Sequence, residues 1–174
     1  LFESGDDGRT IDVLNGLVGV SGGNTVLFGN GATGAITGLV AGGRSPDGMG
    51  GFTDHADVAW AGVDRQAVSS DGLRPLWVRQ AGDGQGTALQ HVTSFTFGAV
   101  RDVAADSDDW SRVYVLGVDG RLWFSDDGAD APTDPWTWTE ITGNLDQLNG
   151  TTSRQSLAVV NDGADVAVLV GTDG

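Results

Sequence analysis

Apolar residues in this chain come in short runs, each cut off by Asp, Gly or Ser, and the pattern is clearest between Val100 and Ile141. Val100 to Ala104 reads as a β-rich segment leading into an acidic turn, Asp106-Ser107-Asp108-Asp109. Arg112 to Leu116 is the next strand, and Asp119-Gly120 is the two-residue turn beyond it. Asp-Gly between apolar runs is the strongest short-range hairpin signal, because both turn positions take positive φ, which Gly adopts freely and Asp tolerates. The partner strand is Arg121 to Phe124, a second turn falls at Ser125-Asp126-Asp127-Gly128, and a further strand surrounds Trp136 to Ile141. This order predicts a four-stranded antiparallel meander. No stretch carries a convincing helical apolar period, so the expected fold class is all-β.

The same phrase recurs along the chain. Val115-Leu116-Gly117-Val118-Asp119-Gly120-Arg121-Leu122-Trp123-Phe124-Ser125-Asp126-Asp127-Gly128 is its full form. Val63 to Gly72, followed by Trp77, is a looser copy; Leu1 to Ile11 matches the back half, Val168 to Gly174 the front half, and Thr25 to Thr37 is degenerate. Aligned on Ser125, the equivalent positions are Ser4, Leu39 and Ser70, giving spacings of 35, 31 and 55 residues. Repeats of this length signal an array of small units, each a supersecondary motif stacked on its neighbour. The expected architecture is a β-propeller of four-stranded antiparallel blades, about four blades' worth. The units are 5–39, 40–70, 71–125 and 126–174. Written tail to head, the termini restore Gly-Thr-Asp-Gly-Leu-Phe-Glu-Ser. Residues 1–4 would complete the last unit in a closed small ring; the expectation favoured here is a slice of a larger propeller, its edges covered by neighbouring segments of the same polypeptide.

Composition narrows the partners. There are 9 basic and 24 acidic residues, a formal charge of −15. All the basic residues are Arg, and only Glu3 and Glu140 among the acids are Glu. Scarce Lys, Glu and Met deprive helices of their best formers, while Asp and 29 Gly supply turns. Such acidity argues against nucleic acid and against anionic membrane surfaces, since no basic patch is present to displace counterions. With no Cys, disulfides, zinc thiolates and a Cys nucleophile are ruled out. No apolar run approaches the roughly 18 residues of a membrane span. The N-terminus has no basic region followed by an apolar core, so no signal peptide is expected in this chain, and it does not begin with Met. The expected setting is extracellular or cell-surface.

Ser4-Gly5-Asp6-Asp7-Gly8-Arg9-Thr10-Ile11 resembles the Ser-x-Asp-x-Gly-x-Thr-apolar pattern of the Asp-box, or bacterial neuraminidase repeat. Ser125-Asp126-Asp127-Gly128 is similar to a copy shortened by one residue, its Trp138 delayed by the insertion Ala129 to Pro135. Ser70-Asp71-Gly72 with Trp77 is a more degenerate copy. The resemblance is to the Asp-box propellers, a superfamily that includes sialidases, xyloglucanases, sortilin-type receptors and a photosystem assembly factor. It implies that Ser4, Asp6, Gly8, Thr10, Ser70, Asp71, Gly72, Ser125, Asp127, Gly128 and Trp138 build folded turns and inter-blade packing rather than chemistry.

Candidate chemistry is sparse. Sialidase action would need an Arg cluster and a Tyr/Glu pair, but the Arg are scattered and Tyr114, the sole Tyr, sits mid-strand. A xyloglucanase-like glycosidase, which the resemblance also implies, uses two Asp as acid and base; Asp119, Asp64 and Asp173 stand at similar places in their copies, although the family turn's second Gly is missing. An inverting pair needs carboxyls about 6.5–9.5 Å apart. Asp106 and Asp108 offer a weak calcium candidate, with Trp110 in the place of the loop Gly and Arg112 near that of the final Asp. Otherwise no cofactor is expected. His55 and His91 stand isolated, and Gly48 to Gly51 lacks the strand, helix and Lys of a phosphate cradle. Trp123, Trp136 and Trp77 are candidates for sugar stacking, against an inter-sheet core role. The leading expectation is a non-catalytic scaffold for a protein or carbohydrate partner; the alternative is part of a secreted glycoside hydrolase.

Overall fold

A computed structural model describes residues 2–3, 12–13, 26–28, 32–64, 74–84, 87, 89–127, 136–145, 154–163 and 165–173. Every described strand pairing is antiparallel, so the all-β expectation holds. A short hairpin joins β1 (Phe2–Glu3) to β2 (Asp12–Val13). The first large sheet contains β3 (Val26–Phe28), β4 (Ala32–Ala41), β7 (Ala59–Asp64), β8 (Leu76–Arg79) and β9 (Gln90–His91), in that spatial order. Between β4 and β7 the chain departs into a separate hairpin, β5 (Arg44–Pro46) and β6 (Phe52–Asp54).

The second sheet is the meander read from the sequence: β10 (Val100–Ala105), β11 (Val113–Gly117), β12 (Leu122–Ser125) and β13 (Thr139–Glu140). β14 (Arg154–Asn161) and β15 (Val166–Thr172) form a two-stranded third sheet. No closed ring of sheets is formed by the described residues. Among them, too, no helix is long and apolar enough to cross a membrane.

One strand in each of the three sheets carries the same irregularity. β4 shifts register between Ile36 and Gly38, β10 between Val100 and Asp102, and β14 between Arg154 and Ser156. Each is a one-residue bulge, which bends a strand and increases its twist. The three strands lie together, β10 touching both β4 and β14. Thr37 Oγ1 donates to the Val100 carbonyl at 2.6 Å, and the Leu157 amide donates to the Asp102 carboxylate at 2.7 Å. Gly38 makes this approach feasible: a Cβ there would stand 2.6 Å from both Asp102 Oδ1 and the Val103 amide.

Alternation of side chains gives each sheet two faces. Trp60, Leu76 and Val78 of the first sheet, with Phe95 of the β9–β10 connection, pack against Val100, Val113, Val115 and Trp123 of the second, forming the main core. Ala59, Ala61, Val63, Trp77 and Leu89 form a smaller cluster on the back of the first sheet. Full burial of an aliphatic or Phe side chain of this kind stabilises by about 1.5–3 kcal/mol. Register also corrects one equivalence. Trp77 pairs with Ala61 as Trp123 pairs with Val115, so Trp77 is the counterpart of Trp123 and not of the Asp-box Trp138. Likewise, the connection holding Ser70 joins β7 to β8, whereas Ser125 ends β12, the counterpart of β8. Units phased on the Ser position therefore divide within β4, within the β7–β8 connection, and between β12 and β13.

Candidate functional site

The Ser125 turn closes on itself. Ser125 is buried, and its Oγ accepts the Asp127 amide at 3.4 Å. The Asp127 carboxylate accepts the Thr137 amide at 2.5 Å, clamping the chain just before Trp138. Trp138 then packs edge-on against Phe95 and donates Nε1–H to Ser94 Oγ at 3.2 Å. Ser and Asp side chains satisfy loop backbone in this way wherever no strand ladder is available. Ser4, Asp6, Gly8, Thr10, Ser70, Asp71, Gly72 and Gly128 lie outside the described residues.

The three Trp considered for stacking sit inside. Trp123 is 8 % exposed, Trp77 5 % and Trp136 4 %. Phe97 stacks on Trp123 with centroids 3.9 Å apart, Trp60 meets Trp136 edge-on at 5.0 Å, and His91 meets Trp77 edge-on at 5.6 Å. Burial pushes the His91 pKa down, and the Arg74 charge adds to the effect. Burial likewise raises that of Tyr114, which packs on Phe124.

Asp119 serves its own turn. Its Oδ1 accepts the Arg121 amide at 3.1 Å, and Arg121 Nε lies 3.6 Å from Oδ2. Gly120 has φ +82°, as the turn requires, and its carbonyl accepts a hydrogen bond from the Arg154 guanidinium. Asp64 is exposed at the end of β7, and Asp173 accepts Gln155 Nε2 at 3.2 Å. The bulges also shift the match between them. Val63, Gly117 and Thr172 are the register equivalents, so Asp119 lies one residue beyond the place shared by Asp64 and Asp173.

Asp106 is buried among donors. It accepts the Asp108 amide at 3.0 Å, Asn161 Nδ2 at 2.8 Å and Arg112 NH1 at 3.3 Å, so one carboxylate ties the ends of all three nearby strands. Asp109 Oδ1 takes the Ser111 hydroxyl at 2.5 Å, and Asp108 stands 3.7 Å from Arg44. A calcium ion here would compete with Arg112 for Asp106. Among the described residues no group of three or more His, Asp or Glu is placed to hold a metal.

The β5–β6 hairpin was not read from the sequence. Its turn is wound around Asp47, whose Oδ1 accepts the amides of Met49 and Gly51, each at 2.8 Å. Those two bonds hold the Asp47 carboxyl below its usual pKa. Gly48 and Gly50 supply the positive φ values, +73° and +88°. Arg44 bonds Asp54 at 3.0 Å and lies 5.8 Å over the Phe52 ring; Ser45 Oγ meets His55 Nε2 at 2.8 Å. The hairpin docks on the second sheet through Trp110, whose amide donates to the Arg44 carbonyl at 2.7 Å, and Gly43 lets the Trp110 side chain approach.

The tip remains open: Met49 is 89 % exposed and Phe52 49 %. Two clefts of about 480 Å³ flank the hairpin. One is lined by Val40, Arg44, Asp54, His55 and Asp106. The other is lined by Phe52, Asp108, Asp109, Arg112 and Asn161. The available signal was Asp47-Gly48 with Gly50-Gly51, flanked by Arg-Ser-Pro and Phe-Thr-Asp. Comparison of the chain with protein-family models, with curated proteins and with solved structures returns no match in any of the three.

Proposed function

We propose that this chain is a non-catalytic Asp-box β-propeller, or a slice of one, acting outside the cell or at its surface as a binding or assembly scaffold for a protein or glycan partner. One observation carries the reading. The described Ser and Asp of the repeated turns bond the local chain, while the most exposed apolar side chain among the described residues belongs to the unrepeated β5–β6 hairpin. The blade reading draws support from successive antiparallel sheets whose bulged strands lie side by side. Further segments of the same polypeptide would cover the outward face of the third sheet, where Val160 and Leu169 are half exposed.

A glycosidase reading rests on the half-exposed carboxylate of Asp119. The decisive assay incubates the chain with xyloglucan and with sialyl conjugates, alongside glycan and peptide arrays. The scaffold reading expects array binding without turnover, unchanged in Asp119→Asn. Turnover abolished by Asp119→Asn would replace it with the enzyme.

A further inference from the structure

Resting on the scaffold reading, we infer that the cleft beside the β5–β6 tip takes an extended cationic polypeptide segment that alternates Lys or Arg with apolar side chains. The apolar half of the argument is the tip. Met49 stands almost free between glycines, and Phe52 borders the cleft with half its surface in solvent. An unbranched Met thioether adapts to varied apolar surfaces, and burying it with part of a Phe ring is a favourable use of exposed area. Gly48, Gly50 and Gly51 add no side chains that would hold a partner's backbone away.

The polar half is charge. Asp108 and Asp109 line the cleft, Asp47 stands in the turn at the tip, and Asp54 lies on the other side of the hairpin in an ion pair with Arg44, while Arg112 is paired with buried Asp106. Counting every charge, five carboxylates (Asp47, Asp54, Asp106, Asp108 and Asp109) stand around two guanidiniums (Arg44 and Arg112), on a chain whose total charge is −15. That field attracts Lys and Arg and repels acidic partners. A neutral glycan gains nothing from it. Arg44 over the Phe52 ring also occupies a face that a sugar would stack on.

The test is fluorescence anisotropy with the full chain and a labelled peptide of alternating Lys and Leu, at low and high salt. Comparison peptides alternate Lys with Ser and Glu with Leu. The Lys-Leu peptide should bind most tightly and weaken with salt. Replacing Leu by Ser, or Met49→Ser combined with Phe52→Ser, should each cost about tenfold or more in Kd. Asp108→Asn with Asp109→Asn should also weaken binding, and it leaves the apolar tip intact should the first double variant lose its fold. Val118→Ser, an exposed apolar control, should change nothing.

Equal binding of the Lys-Ser peptide, or full affinity in both double variants, would reduce the effect to diffuse attraction and overturn the proposal. A glycan that binds and is lost in Phe52→Ser would overturn it while leaving the scaffold. Turnover lost in Asp119→Asn sinks the scaffold reading itself, and is scored separately from peptide affinity.

Discussion

Gly38 and Gly62 are the residues at which one sheet lies directly on the next. A Cβ on Gly62 would overlap Val100 Cγ1, and one on Gly38 would meet the side chain of Asp102. Neither glycine has the positive φ that turns require, so the need is for space alone. Gly62→Ala and Gly38→Ala should each destabilise by about 1–3 kcal/mol through overpacking, measured by urea unfolding. Asp106→Asn should cost about 1–3 kcal/mol: the buried acceptor keeps its shape but loses the charge that answers Arg112. Asp119→Asn should stay within about 0.5 kcal/mol of the parent, because the exposed side chain can still accept the Arg121 amide. Legibility in the sequence follows contact range. Ser125 and Asp119 act within a few residues, so a turn at each could be read directly, although the Asp119 loop is the three residues Val118 to Gly120 and not a two-residue Asp-Gly turn. Asp102 bonds the amide of Leu157, a partner 55 residues away, and no local pattern announces it.

At the scale of elements, the second sheet was legible and the first was not. Each strand of the second is set off by its own turn residues, so the alternation of Val113 to Ser125 shows through. In the first sheet a hairpin interrupts the β4–β7 connection, and β9 is only two residues long. Unequal connections then broke the phase of the repeat. Ala61 and Val115 are 54 residues apart, while Trp77 and Trp123 are 46 apart. A single spacing could not align both pairs, which is why Trp77 was matched to the wrong strand. The interrupting hairpin should behave as a local unit. Asp47→Ala removes the acceptor shared by Met49 and Gly51, so the amides of both should exchange faster. The melting temperature should fall only slightly at neutral pH, since the exposed turn adds nothing to the core between the sheets and only the amide bonds that lower the Asp47 pKa are lost. Unchanged protection of Gly51 in that variant would show that the Asp47 carboxylate does not hold the turn.

For the whole molecule, the acid limb of stability follows from groups with depressed pKa: His91, Asp57 and, at the exposed hairpin tip, Asp47. His91 is pushed below its ordinary 6.5 by burial first and by the Arg74 charge second. For Asp57, burial acts upward, but amide hydrogen bonds, led by that from Gly82 at 2.7 Å, outweigh it and leave the pKa below 3.8. In both cases the unfolded chain takes up its proton at a higher pH than the folded one. Stability therefore rises with pH across each interval. The His91 contribution is whole above 6.5 and is lost as pH falls from there through the folded value; the Asp57 contribution is whole above 3.8 and is lost as pH falls below it. Unfolding free energy plotted against pH should show two separate descents on acidification. His91→Gln should flatten the upper one and leave the lower in place, while Asp57→Asn should shrink the lower one, to which Asp47 also contributes, and leave the upper in place. High salt should leave the part of the upper descent that arises from burial, because desolvation of the imidazolium beside Trp77 is not screened, and should trim only the part due to Arg74. An upper descent of the same slope in His91→Gln would assign it to some other group and refute the role given to this ring.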